Sequence, residues 1–101
     1  MGSEMCIRDR LNKYPNVWVL LDDIYEKLNF SSKRSINLIN IDTKFKRRSL
    51  LVNGFSKGYS MTGWRLGYGA GPKILIEAMK KIQSQSTSAA NTIAQNAAIK
   101  A

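Results

Sequence analysis

VWVLLDDIYEKL, residues 17–28, opens with five apolar residues in a row and breaks on two carboxylates. Side chains of a strand point alternately to opposite faces, so an unbroken apolar run suits a strand covered on both sides, as in a parallel sheet. Val17 to Leu21 is therefore read as a buried strand. Pro15-Asn16 punctuates its start, and Asp22 and Asp23 end it.

Downstream, residues 31–47 are polar and basic, with weak apolar islands at Ile36, Leu38, Ile39 and Ile41, and read as an irregular connection. Ser49 to Val52 is a second short strand. Residues 53–63 are rich in Gly, Ser and Asn, the composition of a functional loop. Arg65 to Ala70 reads as a third strand. Gly71-Pro72 opens a helix, because proline is well tolerated in a first turn. Ile74, Leu75, Ala78, Met79 and Ile82 recur at helical spacing and predict one buried face. That helix gives out over Gln83 to Ser88, and a second follows with Ala90, Ile93, Ala94, Ala97 and Ala98 as its stripe. Strand, loop, strand and helix in this order indicate an α/β class, and the unbroken run Val17 to Leu21 suits a parallel sheet.

The chain has 101 residues, enough for one small domain with a modest core. No apolar run approaches the roughly 20 residues that span a membrane. No apolar stretch followed by a small-residue cleavage site marks a leader, so a cytoplasmic setting and no membrane partner are expected. There is no histidine and one cysteine, Cys6. That excludes Ser-His-Asp and Cys-His catalysis, an internal disulfide and a cysteine-based metal site, so no metal is expected. The net charge is +9. It invites a nucleic-acid reading, but the charge is scattered except at Lys44, Lys46, Arg47 and Arg48, and such a run reads as a solvated loop.

Residues 1–10, MGSEMCIRDR, stand apart. MCIRDR is the translation of a DNA-sequencing transposon adapter, so residues 1–10 are expected to be foreign and residues 11–101 to be the native part. The chain stops at Ala101 inside a helical pattern, without a Gly or Pro stop signal. Both ends read as cut.

Two segments carry candidate chemistry: DDIYEKL, residues 22–28, and NGFSKGYSMTGWRLGY, residues 53–68. One at a time, Asp22 is a turn cap, Tyr25 an ordinary aromatic, Lys57 a surface lysine and Arg65 a structural cation. Together they fit one task. Carboxylates at the C-terminal end of a strand lie where open α/β sheets bind ligands. A lysine in a glycine- and serine-rich loop, near an arginine, is a plausible amine nucleophile. Arg65 offers a planar fork suited to phosphate. A carboxylate, a phenol, an amine and a guanidinium suit an aldehyde cofactor with a pyridine ring and a phosphate tail, one reading among several on composition alone. Trp18 and Trp64 read as packing residues, Gly63 and Gly67 as backbone geometry, and Asn53 as a residue that orders the loop.

The second segment resembles the lysine-site signature of the class I aminotransferases, which depend on pyridoxal 5'-phosphate. In that signature a small, an apolar and a small residue precede the lysine, and an arginine follows eight positions later, then an apolar and a small residue. Here these are Gly54, Phe55, Ser56, Lys57, Arg65, Leu66 and Gly67. Asp22 and Tyr25 are similar to the family's D-x-x-Y element. GPKILIEAMKKIQSQSTS, residues 71–88, is similar to the helix that follows in bacterial aspartate aminotransferases of the Ib subgroup. The resemblance covers roughly residues 14–101.

The resemblance implies that the chain is an internal piece of the large, cofactor-binding domain of a fold type I aminotransferase. It implies that Lys57 holds pyridoxal phosphate as a Schiff base and shuttles a proton at the substrate carbon. Asp22 would keep the pyridine nitrogen protonated, Tyr25 would hydrogen-bond the ring's 3′-oxygen, and Arg65 would bind the phosphate. Ser56 would add a phosphate contact, although many relatives carry that serine three residues before the lysine, where this chain has Gly54. A complete enzyme would be a homodimer acting on amino-acid and 2-oxo-acid substrates, aspartate first and prephenate or another 2-oxo acid next. The arginine for the substrate carboxylate, the upstream phosphate loop and the ring stacker have no counterpart here, so the piece alone is expected to turn over no substrate. Two rival readings are a small basic nucleic-acid-binding module and a non-catalytic remnant that pairs with intact subunits.

Overall fold

Val19–Asp22 (β1) and Ser49–Gly54 (β2) run side by side as parallel strands in the computed structural model, which describes residues 2–101. The register pairs Val19 with Ser49 and Asp22 with Val52, and Asp23 N–H donates to Val52 O at 3.0 Å just past the ladder. Gly67–Ala70 (β3) lies on the other side of β2 and is antiparallel to it, with Gly54 opposite Gly67 and Leu51 opposite Ala70. The sheet is three-stranded and mixed, in the order β1-β2-β3. The expected α/β class is observed. The third strand starts later than Arg65, because Arg65 takes a left-handed backbone (φ 52°) that turns the chain into β3.

Four α-helices accompany the strands among the described residues: Gly2–Asn12 (α1), Leu38–Ile41 (α2), Lys73–Ser86 (α3) and Thr92–Ala98 (α4). The stretch expected to be irregular is partly ordered. Asn37 caps α2, accepting from the N–H groups of Ile39 and Asn40, and the Asn40 side chain accepts in return from Asn37 N–H at 2.9 Å. This is a capping box built with asparagine at both positions. Asp42 then caps a 3-10 turn over Thr43–Arg48. That turn delivers Phe45, which is completely buried and contributes about 1.5–3 kcal/mol by leaving water. α3 continues through Gln83 to Ser86, beyond its expected end.

Arg48 ties the start of the sheet together. Its Nη1 donates to Tyr14 O at 2.8 Å and Val17 O at 2.7 Å, and its Nη2 to Leu11 O at 2.8 Å. The guanidinium carbon also sits 4.7 Å from the Phe45 ring centre, so one cation closes the end of α1, the approach to β1 and the lid over Phe45.

Burial departs from the expectation. Leu38, Phe45, Leu66 and Ala94 are the buried apolar side chains among the described residues. Leu20 in β1 is 64% exposed, and Ile74 and Ile82 on α3 are each 71% exposed. So β1 is not covered on both faces and the α3 stripe is open. The shape gives the reason. The chain is a slab of 42 × 36 × 17 Å, with a radius of gyration of 15.5 Å against about 13 Å for a compact 100-residue domain. Its accessible surface is 7870 Å², where a compact monomer of 11.4 kDa would show roughly 5800 Å². A slab one sheet thick has no second layer to bury both faces of a strand. Among the described residues no helix is long and apolar enough to cross a membrane.

Candidate active site

The mixed topology decides which ends of the strands meet. β1 and β2 are parallel, so their C-terminal ends share one edge of the sheet; β3 is antiparallel to β2, so its beginning falls at that same edge. Asp22 is the last residue of β1, Lys57 lies three residues beyond the end of β2, and Arg65 lies two residues before β3. Tyr25 occupies the turn that leaves β1, directly before a 3-10 turn over Glu26–Leu28. All four side-chain positions therefore gather at one rim. Asp22, Tyr25, Lys57 and Arg65 are exposed, and Ser56 is half-buried.

The loop between β2 and β3 folds on itself. Phe55 O accepts from Tyr59 N–H and Met61 N–H, each at 3.3 Å, and Phe55 N–H donates to Leu66 O at 3.2 Å. Thr62 Oγ1 donates to Ser56 O at 3.1 Å, and Arg65 Nη1 donates to Thr62 O at 3.1 Å. Phe55 packs against Tyr59 and Tyr68 with ring centres 5.5 and 6.1 Å apart. A non-glycine residue in the left-handed region costs about 1–2 kcal/mol. Ser60 and Arg65 both adopt it within this loop, and Leu66, directly after Arg65, is 8% exposed.

The turn after β1 is pressed onto this loop. A side chain at Gly58 would meet Lys27 Cβ at 2.7 Å, and one at Gly54 would meet Ile24 Cδ1 at 3.0 Å and Leu66 O at 3.1 Å. Gly54 is buried, so a side chain there would require Ile24 or the Leu66 carbonyl to give by a few tenths of an ångström. Asp22 Oδ1 accepts from Ile24 N–H at 3.3 Å, shaping the turn that holds Tyr25. Asn53 Nδ2 donates to Glu26 Oε2 at 3.0 Å, while Asn53 Oδ1 accepts from Gly54 N–H at 2.7 Å. Glu26 was not among the residues the sequence singled out. The signal available was weak, namely an acid directly after the tyrosine.

The structure brings the two motif segments to one rim but draws no hydrogen bond or ion pair among Asp22, Tyr25, Ser56, Lys57 and Arg65 themselves. A cleft of about 780 Å³ beside the rim is lined by Trp64, Arg65 and Gly67 on one side and by Thr87, Asn91 and Ala94 on the other, and it includes Arg65 but not Lys57. The donor set fits the aldehyde cofactor expected from the sequence. It has a carboxylate for a ring nitrogen, a phenol for a ring oxygen, an exposed primary amine for the aldehyde and a guanidinium for a phosphate. The basic run is different. Lys44 pairs with Asp42 at 3.0 Å and Arg48 is spent on backbone carbonyls, so half of that run serves the fold instead of offering a surface to nucleic acid.

The family model described as aminotransferase class I and II matches residues 5–101. A probable aspartate/prephenate aminotransferase of Rickettsia typhi is 55% identical over 95 residues, which is 94% of this chain and 24% of that protein. The crystal structure of the aspartate aminotransferase from Rhizobium meliloti superposes with a TM-score of 0.85 at 45% identity, covering 88% of this chain and 22% of that one. An aromatic aminotransferase from Pyrococcus horikoshii superposes with a TM-score of 0.87 at 35% identity, over 96% of this chain and 26% of that one. The chain thus spans about a quarter of the length of the curated relatives it matches.

Proposed function

The chain belongs to the class I and II aminotransferases, a family of pyridoxal-phosphate enzymes, and from that premise we propose that it is the lysine-bearing part of a transaminase. Its α/β fold with a mixed sheet is a portion of the large domain of the fold type I aminotransferases. The observation that carries the proposal is the meeting of Asp22, Tyr25, Lys57 and Arg65 at one rim of that sheet. The nucleic-acid reading is not favoured by any of the relatives.

When bound, pyridoxal phosphate supplies a ring that accepts the electron pair released at a substrate's Cα. The rest falls to the chain. Lys57 would hold the cofactor covalently through Nζ, and its free amine would move a proton at the substrate carbon. Asp22 keeps a proton on the ring nitrogen by opposite charge. Tyr25 donates its O–H to the ring oxygen. Arg65 binds the phosphate through its planar fork, with Ser56 a lesser contact. The substrates are an amino acid and a 2-oxo acid. Aspartate comes first and prephenate second, in line with the names of the relatives from Rickettsia and Rhizobium. The working enzyme is a cytoplasmic homodimer. Residues 11–101 belong to its large domain; residues 1–10 read as foreign from the adapter-like MCIRDR, whereas the family match already begins at residue 5, and long sequencing reads across both ends of the frame decide between the two.

The direct test is to purify the full-length protein with pyridoxal phosphate, reduce it with borohydride and map the modified peptide by mass spectrometry. The pyridoxyl group is expected on the peptide holding Lys57, and Lys57→Ala is expected to lose both the adduct and the visible absorbance band. An adduct on another lysine, or a retained band in Lys57→Ala, overturns the assignment.

A further inference from the structure

Tyr25 and Lys57 sit on different segments, 32 residues apart, and something must hold one against the other. The β1–β2 ladder ends at Asp22 and the Asp23 N–H bond, before either residue is reached. Beyond that point the hydrogen bond from Asn53 Nδ2 to Glu26 Oε2, at 3.0 Å, is the side-chain hydrogen bond that joins the Tyr25 turn to the lysine segment among the described residues. Its placement is specific. Glu26 directly follows Tyr25, and Asn53 lies in β2, four residues before Lys57.

The amide is oriented for this contact. Asn53 Oδ1 is occupied by Gly54 N–H at 2.7 Å, so its NH2 group faces away from its own strand, toward Glu26. The bond is solvent-exposed, so water competes for it and its role is to set position more than to add stability. The backbone beneath is tightly matched, since Ile24 fills the space at Gly54 and Lys27 the space at Gly58. The turn therefore touches the lysine segment before, at and after the hydrogen bond, and the bond fixes how far the turn can slide along it.

Building on the assignment of Tyr25 and Lys57 above, we propose that Glu26 and Asn53 are positioning residues that clasp the Tyr25 turn to the strand carrying Lys57. The clasp keeps the phenol in reach of the cofactor's ring oxygen. Neither residue touches the cofactor; both act through Tyr25. Loss of the phenol's hydrogen bond alters the proton affinity of the lysine-linked cofactor, which is read as the pH midpoint of its absorbance change.

The experiment uses the full-length protein loaded with pyridoxal phosphate. Midpoints are measured for Tyr25→Phe, Glu26→Ala, Asn53→Ala, the Glu26→Ala/Asn53→Ala double variant and Glu26→Gln, with thermal unfolding recorded alongside. Tyr25→Phe is expected to move the midpoint. Glu26→Ala and Asn53→Ala are expected to move it in the same direction by at least about half a pH unit, roughly a threefold change in the proton equilibrium. The double variant should move it no further than either single one, because both remove the same bond. Glu26→Gln retains an amide oxygen to accept from Asn53 and should stay near the wild-type midpoint. Unmoved midpoints in the alanine variants, with Tyr25→Phe shifted, overturn the clasp and leave the site assignment standing. The same holds if the alanine variants lower only the unfolding temperature. An unmoved midpoint in Tyr25→Phe overturns both.

Discussion

Replacing Arg48 by methionine should loosen one end of the molecule by an amount that can be worked out from its contacts. The guanidinium makes three hydrogen bonds to the carbonyls of Leu11, Tyr14 and Val17, at 2.7–2.8 Å, and lies 4.7 Å from the Phe45 ring centre. A hydrogen bond to a charged group is worth about 1.5–3 kcal/mol when buried. Two of these three are exposed, so water replaces much of each, and an exposed cation–π contact adds only about 0.5–1 kcal/mol. The net loss is on the order of 2–3 kcal/mol, since methionine keeps most of the apolar stem. Hydrogen exchange read by mass spectrometry on the full-length protein localises it. Amides over residues 11–21 should exchange roughly 30- to 150-fold faster in Arg48→Met, at about 1.4 kcal/mol for each tenfold. Amides over residues 73–86 should be unaffected, because α3 makes no bond to Arg48. Arg48→Lys, which reaches one carbonyl at a time, should fall between. The acceptors are neutral carbonyls, so added salt should leave the difference largely intact, unlike that of a surface ion pair. Acceleration below about threefold, or equal acceleration in both peptides, would show that the clamp does not hold this end.

Ser49 is 1% exposed and its hydroxyl has no hydrogen-bond partner among the described residues. Ser49→Ala should therefore be neutral or stabilising, by up to about 1 kcal/mol in urea unfolding, and a loss of that size would contradict the reading. The Asp42 carboxyl is held below its ordinary range, first by the hydrogen bond from the Lys44 side chain and further by the Lys44 N–H and charge. A carboxyl lowered in the folded state contributes stability above its unfolded value of about 3.9 and loses it as pH falls through the folded value. Thermal unfolding of wild type and Asp42→Asn should thus differ by a constant amount above about pH 5 and converge in stronger acid. A gap that widens on acidification would refute it.

The elements that were legible in the sequence are those whose pattern is local. The run ending in Leu21, the strand from Ser49, the helix opened by Gly71-Pro72 and the alanine-rich helix all occur close to where period and punctuation put them. The short helix α2 was missed because its capping box uses Asn37 and Asn40 instead of the Ser or Thr with Glu or Gln that usually flags one. The direction of β3 is not written in its apolar residues; it is set by the folded connection from Phe55 to Leu66, in which Ser60 and Arg65 both take left-handed backbone. Burial was over-read for Leu20, Ile74 and Ile82, because an apolar stripe tells which face seeks cover and not what covers it. The site motifs were legible as spacing alone. The Glu26–Asn53 bond was not, since its partners are 27 residues apart and each has an ordinary local explanation.

The opposed directions of β2 and β3 make some lengths in this chain mechanical dimensions and leave others free. Lys57 and Arg65 are joined by an antiparallel connection that must leave and re-enter the sheet at the same rim, over a fixed path folded on Phe55. An added or deleted residue there would shift the guanidinium or the amine directly. The link from β1 to β2 is of another kind: it must travel back along the sheet before β2 begins, and its exposed part is residues 29–36, ahead of the turns that carry Leu38 and Phe45 into the core. Any extra length there can bulge outward without moving either strand end. Variation in chain length within this region should therefore collect between Leu28 and Asn37 and spare the eight-residue step from Lys57 to Arg65.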